Sequence, residues 1–321
     1  MSQKRILTLR VARLTHETPE ILGVELAHPR GGVLPAYEAG AHIDLHLPGG
    51  FARQYSLARA PHAAGQRYVI GVKREPAGRG GSHAVHQRLR EGDLIPVGEP
   101  RNTFSLARGA AHHWLLAGGI GMTPLLAMAQ TLAERGEPFT LCVFARSPAH
   151  LAFADALRDH ALAPHLRLHF DEGGTPAQKI ELKALLAAPA PGAHLYLCGP
   201  AGFMQAVRAA AQAWPEDNIH AEFFAAPDVA AAQAGRPFTL HLRQRGIRVP
   251  VAADQTAVDA LHDVGIDVAV SCQQGLCGTC VVPADGATAE HRDFCLSGSE
   301  RRAKVALCCS RAQGDELVID L

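Results

Sequence analysis

The sequence predicts a multidomain chain: an antiparallel β-barrel over residues 1–108, an α/β unit on a parallel sheet over 109–226, a linker at 227–237 and a small α+β domain over 238–321. Three observations predict it. Through the first third, apolar and polar residues alternate in short runs separated by Gly and Pro, the pattern of small closed barrels. From about His112, strand, glycine turn and amphipathic helix repeat, as in a parallel sheet covered on both faces. Six of the eight cysteines then crowd into the last fifty residues, at 272, 277, 280, 295, 308 and 309. A reducing compartment with a metal or cluster site accounts for that confinement better than a disulfide framework does.

At the start, Leu7, Leu9 and Val11 alternate with Thr8, Arg10 and Ala12, so the segment reads as a half-buried strand of the mature structure, not a targeting peptide. Leu22, Val24 and Leu26 alternate likewise. So do Ile43, Leu45 and Leu47, which leaves His42, Asp44 and His46 expected on the outward face. Strands of the second unit are expected at 114–117, 139–144, 166–170, 194–197 and 219–223, with helices such as 124–134 and 202–213 between them. An Ala-rich linker closes on Gly235-Arg236-Pro237. In the last domain Phe238, Leu240 and Leu242 alternate, Arg245-Gly246 turns the chain, Ile247, Val249 and Val251 return, and a helix over 256–264 is stopped by Gly265.

The 31 basic and 31 acidic side chains cancel, so net charge recruits neither nucleic acid nor an anionic membrane, and any charged docking surface must be local. No apolar run approaches the roughly 20 residues that span a bilayer. A cytoplasmic location is expected. The eighteen histidines are scattered without a ligand spacing such as HExxH, which favours surface or loop roles.

Cys272, Cys277 and Cys280 are spaced C-x4-C-x2-C, and Cys308 follows after twenty-seven intervening residues. This is the plant-type ferredoxin pattern for a 2Fe-2S cluster. The loop must close tightly around sulfide ions, and Gly275 and Gly278 free the backbone to do so. Amides aimed at the anionic cluster favour its reduced form. A zinc ribbon, the alternative, repeats C-x2-C twice. Cys308 and Cys309 both have a tolerable spacing for the fourth position, but adjacent residues of an extended segment point to opposite sides.

Arg53-Gln54-Tyr55-Ser56-Leu57 combines a cation for phosphate, an aromatic face and a hydroxyl. Val72-Lys73-Arg74 and then Gly78-Arg79-Gly80-Gly81-Ser82 supply a strand end followed by an anion-binding turn. Each alone reads as ordinary β-turn chemistry; together and in order they favour a flavin. Leu115 to Pro124, with Gly118, Gly119 and Gly121, reads as a buried strand, a glycine turn and a helix start with Pro where no amide is needed. It departs from G-x-G-x-x-G, since Pro occupies 124, and Ala145-Arg146-Ser147 lacks the acidic ribose anchor. Cys198-Gly199-Pro200 ends a later strand, where open sheets place ligands; Cys198 reads equally well as a small buried hydrophobe.

These blocks in this order resemble the phthalate dioxygenase reductase family, over nearly the whole chain. Further blocks of the resemblance are residues 35–40 and His46-Leu47-Pro48-Gly49-Gly50, the latter similar to vanillate O-demethylase reductases. The resemblance implies an FMN barrel, an NAD domain and a C-terminal plant-type ferredoxin of α+β, β-grasp fold. It implies that Arg53 and Ser82, beside Gly80 and Gly81, hold the FMN phosphate, and that Tyr55, Ser56 and Leu57, with Val72 and Lys73, line the flavin. Thr123 borders both cofactors. Gly119, Gly121, Cys198, Gly199 and Pro200 border NADH, and Phe224 lies near the flavin. Ser56, Cys198 and Phe224 are thus expected where the chemistry occurs. Cys272, Cys277, Cys280 and Cys308 ligate the cluster, because the family follows its fourth cysteine with one small or aliphatic residue and then Ser-Arg, which matches Cys308-Cys309-Ser310-Arg311. FMN is expected over FAD, as the short connection over 101–111 leaves little chain for an adenine-binding loop.

The function so implied is the reductase component of a multi-component oxygenase, a monomer passing electrons from NADH through FMN and the cluster to a separate terminal oxygenase. A reductase serving a cytochrome is the alternative, and a cluster-bearing redox sensor a third. No 2-His-1-carboxylate spacing and no Rieske cysteine-histidine pairs are present, so oxygen activation is expected elsewhere.

Overall fold

In the computed structural model, which describes residues 5–47, 51–61, 67–76, 78, 80–224, 235–270 and 272–321, two compact units divide the chain at residue 220. Barrel strands are β1 (Ile6–His16), β2 (Ile21–Ala27), β3 (Ala41–Leu47), β4 (Phe51–Ser56), β5 (Arg67–Lys73), β6 (Leu94–Gly98) and β7 (Arg101–Asn102), with helix α1 (Gly81–Arg88) between β5 and β6. They pair in the order β4-β3-β6-β1-β2-β5, with β7 on β3. The ring closes just past β4, where Leu57 bridges Ile70 and the Ala58 amide donates to the Val69 carbonyl at 2.8 Å. This near-closure gathers Leu9, Val24, Ile43, Leu45, Ile70 and Val97 into a dry interior.

The expected outward face of β3 is corrected for two residues: His42 and Asp44 are 4% and 6% exposed. Strand β7 runs along β3, pairing Arg101 with His42, and Arg101 donates to both Asp44 carboxylate oxygens at 2.8 Å. A charge can be buried there because it is paired. Helix α1 is a second departure from the all-β expectation. Its start is the glycine turn itself, with Gly80 at φ 81° as N-cap.

The second layer of the first unit contains β8 (His112–Gly118), α2 (Met122–Arg135), β9 (Phe139–Ala145), α3 (Ala154–Leu157), β10 (Leu166–Phe170), α4 (Leu182–Leu186), β11 (Ala193–Cys198), α5 (Ala201–Ala210) and β12 (Ile219–Glu222). The sheet order is β10-β9-β8-β11-β12, and β8, β9, β10 and β11 are parallel. Sequential crossovers run to one side as far as β10 and then return past β8, so a switch point lies between β8 and β11, where such sheets bind ligands at their carboxyl ends. Helix α2 is apolar almost all round and wedged between sheet and barrel. Leu125, Leu126, Met128 and Leu132 pack with Phe139 and Leu141 on one side and with Ile21, Ala39 and Phe104 on the other. Each such side chain contributes about 1.5–3 kcal/mol. Gly136 ends the helix at φ 65°.

In the second unit, β13 (Phe238–Leu242) pairs antiparallel with β14 (Ile247–Val251) and parallel with the last strand, β19 (Glu316–Ile319). Helix α6 (Ala257–Asp263) is opened by a capping box between Thr256 and Asp259 and closed at Gly265, φ 76°. Short pairs β15 (Val281–Pro283) with β17 (Lys304–Ala306), and β16 (Ala289–Glu290) with β18 (Arg311–Ala312), complete a β-grasp. Most of the expected linker lies outside the described residues. Its end is fastened: Arg311 donates to the carbonyls of Arg236, Ala252 and Gln255 at 2.9–3.0 Å, and a Cβ on Gly235 would strike the Arg311 side chain.

Candidate functional site

Strand β4 delivers Arg53, Tyr55 and Ser56 in register against β3, with Ser56 and Leu57 buried. The Arg53 side chain crosses the amino end of α1, so close that a Cβ on Gly81 would lie 2.6 Å from Arg53 Cγ. A guanidinium beside the first free amides of a helix is chemistry for a phosphate. Ser82 Oγ accepts the Glu75 amide at 3.1 Å, which fixes the hydroxyl beside Gly80 and leaves its proton to donate. His86 Nε2 meets the Val72 carbonyl at 2.8 Å and anchors α1 to β5. Burial pushes the Tyr55 hydroxyl up to about 12, so it stays protonated near neutral pH as a hydrogen-bond donor. Arg79, Pro48, Gly49 and Gly50 lie outside the described residues.

The nucleotide turn meets this strand directly. Gly71 of β5 has no room for a side chain, since a Cβ there would come within 2.9 Å of Thr123 Cγ2 and Ile120 Cδ1. Buried Thr123 thereby stands against the strand that carries Val72 and Lys73, its hydroxyl donating to the Ile120 carbonyl at 3.1 Å. On the other side, Gly121 abuts the end of β11: a Cβ would fall 2.1 Å from the Cys198 carbonyl oxygen. Gly119 takes φ 54°. Cys198 is buried at the last register position of β11, opposite Ala117, and Gly199 packs on Gly118 beneath Phe203. Within one unit, Arg53 thus meets Gly81, Thr123 meets Gly71 beside Val72, and Gly121 meets Cys198. Phe224 belongs to the second unit, 42% exposed after β12.

In the second unit the loop after residue 271, which itself lies outside the described residues, wraps on left-handed turns at Gln273, Gly275 and Gly278, φ 55°, 73° and 66°. These reversals aim successive amides at sulfur. Gln274 and Leu276 donate to Cys272 Sγ at 3.4 Å, Thr279 to Cys277 Sγ at 3.4 Å, and Gly275 to Cys308 Sγ at 3.2 Å. The thiols are close enough to shift one another's titration, Cys277 through Cys272, and Cys308 through Cys272, Cys280 and Cys309. The Cys308 contact holds Cys280 below its ordinary value, while the Cys272 contact and burial push Cys277 up to about 12. The Cys309 thiol faces the Ala306 carbonyl at 3.8 Å. Among the described residues no three His, Cys, Asp or Glu side chains gather as one metal ion would need. Four thiols, three of them taking backbone amides, suit a 2Fe-2S cluster, which uses four thiolates and is tuned by hydrogen bonds to sulfur.

Sequence reasoning missed several groups. Phe203 covers the nucleotide glycines and touches Phe144, ring centroids 5.1 Å apart. Its position on α5, just past Cys198-Gly199-Pro200, was the available signal. The Asp293–Arg301 pair beside the cysteine loop had no signal short of the fold.

A barrel whose helix start can hold phosphate, a parallel sheet with its glycine turn on that barrel, and a β-grasp with a four-thiol loop form a modular redox architecture. The comparisons agree. Residues 240–313 match the family of the 2Fe-2S iron-sulfur cluster binding domain. Over 307 residues the chain is 46% identical to a vanillate O-demethylase oxidoreductase of Pseudomonas sp., covering 94% of this chain and 96% of that protein. The solved phthalate dioxygenase reductase, described as a modular structure for electron transfer from pyridine nucleotides to [2Fe-2S], is 36% identical with TM-score 0.70, covering 98% of each chain. An intact type IV self-sufficient cytochrome P450 monooxygenase is 36% identical with TM-score 0.86; 98% of this chain spans 41% of that longer protein. This chain belongs to the phthalate dioxygenase reductase family. Within it, the vanillate O-demethylase oxidoreductases are similar over almost their full length.

Proposed function

We propose that this protein is the NADH-dependent reductase component of a multi-component oxygenase or demethylase of Rieske type, delivering electrons to a separate terminal oxygenase. The observation that carries it is the four-thiol loop, present in the same chain as a nucleotide turn packed on the flavin strand. When bound, FMN takes two electrons from NADH as a hydride and releases them singly, and the 2Fe-2S cluster takes one at a time. The chain's own residues place these groups. Arg53, with the α1 amides and Ser82, holds the FMN phosphate. Tyr55, Ser56 and Leu57, with Val72 and Lys73, line the ring, and Tyr55 offers a hydrogen-bond donor. Gly119 and Gly121 let the dinucleotide approach the backbone, Thr123 lies between nucleotide and flavin strand, and Cys198, Gly199 and Pro200 border the nicotinamide. Phe224 occupies the sequence place of the aromatic that the family lays near the flavin. Cys272, Cys277, Cys280 and Cys308 hold the cluster.

Domain limits of 1–108, 109–226 and 238–321, a monomeric state and a cytoplasmic location belong to the same reading. No helix among the described residues is long and apolar enough to cross a membrane. The test is purification followed by chromatography of the released flavin, iron and sulfide analysis, and NADH-driven turnover with an oxygenase added. Stoichiometric FAD, or no reduction by NADH, would sink the reading. The similarity to the cytochrome P450 monooxygenase favours a second reading, in which a haem protein takes the electrons; transfer to a haem acceptor but to no oxygenase would establish it.

A further inference from the structure

We infer that Asp293 is a positioning residue for the cluster: a fixed buried charge, clamped by Arg301, that lowers the potential at which the cysteine loop accepts its electron. The inference rests on the reading of this loop as a 2Fe-2S site. Asp293 is 2% exposed, and no cysteine spacing accounts for it. Its Oδ2 accepts the Leu296 amide at 2.9 Å and lies 3.6 Å from Arg301 Nη2; its Oδ1 lies 3.4 Å from His291 Nδ1 and has no hydrogen-bond donor among the described residues. The charge is thus held but incompletely compensated.

The backbone of the same segment is sewn to the cysteine loop. The Phe294 amide donates to the Gly275 carbonyl at 2.9 Å, Arg301 donates to the Asp293 carbonyl at 2.6 Å, and a Cβ on Gly275 would come within 3.0 Å of Asp293 Cα. The Cys295 thiol lies 4.0 Å from Asp293 Oδ2. Reduction adds one electron to the cluster and makes or breaks no bond. A buried carboxylate whose backbone is bonded to the cysteine loop, in surroundings less polar than water, opposes that added negative charge, and a guanidinium favours it. Arg301 is 39% exposed, so solvent weakens its share.

The experiment is potentiometric titration of the cluster-loaded full chain, followed by visible absorption and by the paramagnetic signal of the reduced state, for wild type, Asp293→Asn and Arg301→Gln. Asparagine keeps the Leu296 hydrogen bond and removes the charge. At the wild-type midpoint it is expected to raise the reduced-to-oxidised ratio about tenfold, 59 mV for a one-electron couple. Arg301→Gln is expected to move the ratio the opposite way, by less. A merely structural role would loosen the loop in both variants and shift both in the same direction. Shifts of one sign, or an unchanged potential with the cluster intact, overturn the inference. Should Asp293→Asn purify without cluster, the sign for Arg301→Gln decides alone. Iron and sulfide analysis of wild type separates the two levels: a chain that holds no cluster overturns the functional reading as well.

Discussion

Replacing Gly121 by alanine tests whether the nucleotide turn works by close approach. Gly121 has φ −60°, which any residue adopts, so the substitution carries no conformational strain of its own. The cost is steric. The new Cβ would lie 2.1 Å from the Cys198 oxygen, 2.3 Å from its carbonyl carbon and 2.6 Å from the Gly199 nitrogen, all backbone atoms that cannot rotate away. Moving from 2.1 Å to the 3.4 Å of ordinary contact parts β11 from the turn by about 1.3 Å. Overpacking of this kind costs roughly 1–3 kcal/mol of stability, and displacement of a positioned reactant by about 1 Å costs on the order of a hundredfold in rate. NADH-dependent reduction of ferricyanide by Gly121→Ala should therefore fall about a hundredfold, with cluster absorption unchanged, because the cysteine loop has its own core in the second unit. Gly119→Ala meets no protein atom within 4 Å, so its costs are about 1–2 kcal/mol for φ 54° and whatever room the dinucleotide loses, without parting β11 from the turn. Turnover of Gly121→Ala within about twofold of wild type would refute the reasoning.

For the cluster, Cys309→Ala and Cys295→Ala should keep visible absorption and the reduced-state paramagnetic signal, whereas Cys308→Ala should lose them with FMN retained; a cluster lost only in Cys309→Ala would move the fourth ligand by one residue. Arg53→Ala should purify with several-fold less FMN and a full cluster, since a guanidinium–phosphate contact is charge-assisted; full flavin occupancy would argue against Arg53 as a phosphate ligand. The stacked histidines at the amino end of the parallel sheet should make the first unit acid-sensitive. Burial first, then His194 and His113, lowers His220 to about 4. A base whose folded value is depressed stabilises the fold fully above its unfolded value near 6.5 and loses that contribution as pH falls toward 4, about 2 kcal/mol between pH 7 and 5. Urea unfolding read by fluorescence of Trp114 and Trp214, both in the first unit, measures it; an unchanged pH slope in His220→Gln would clear the stack of responsibility.

By itself the sequence determined what depends on neighbours along the chain. The C-x4-C-x2-C spacing, the left-handed glycines it needs, the change of period from barrel to parallel sheet, and the Thr256 cap are local, and each can be read within ten residues. Only the tertiary structure decided what depends on which distant segments meet. Asp44 stands at an outward position by alternation and is buried because β7 returns along β3 and brings Arg101 to it. The start of α1 looked like a loop because its N-cap is glycine, and the side chain that lies across that start, Arg53, comes some thirty residues earlier. Gly121 offered a familiar motif with Pro in the wrong place. Its reason is a carbonyl on a strand that follows more than seventy residues later. Cys308 and Cys309 are equivalent by spacing and both thiols lie at Gly275; what sets them apart is the backbone partner, since the Gly275 amide is given to Cys308 and the Cys309 thiol faces the Ala306 carbonyl. Asp293 carries no local mark at all, because a buried charge is defined by the burial and by the partner that makes it bearable, and neither exists until the chain has closed around it.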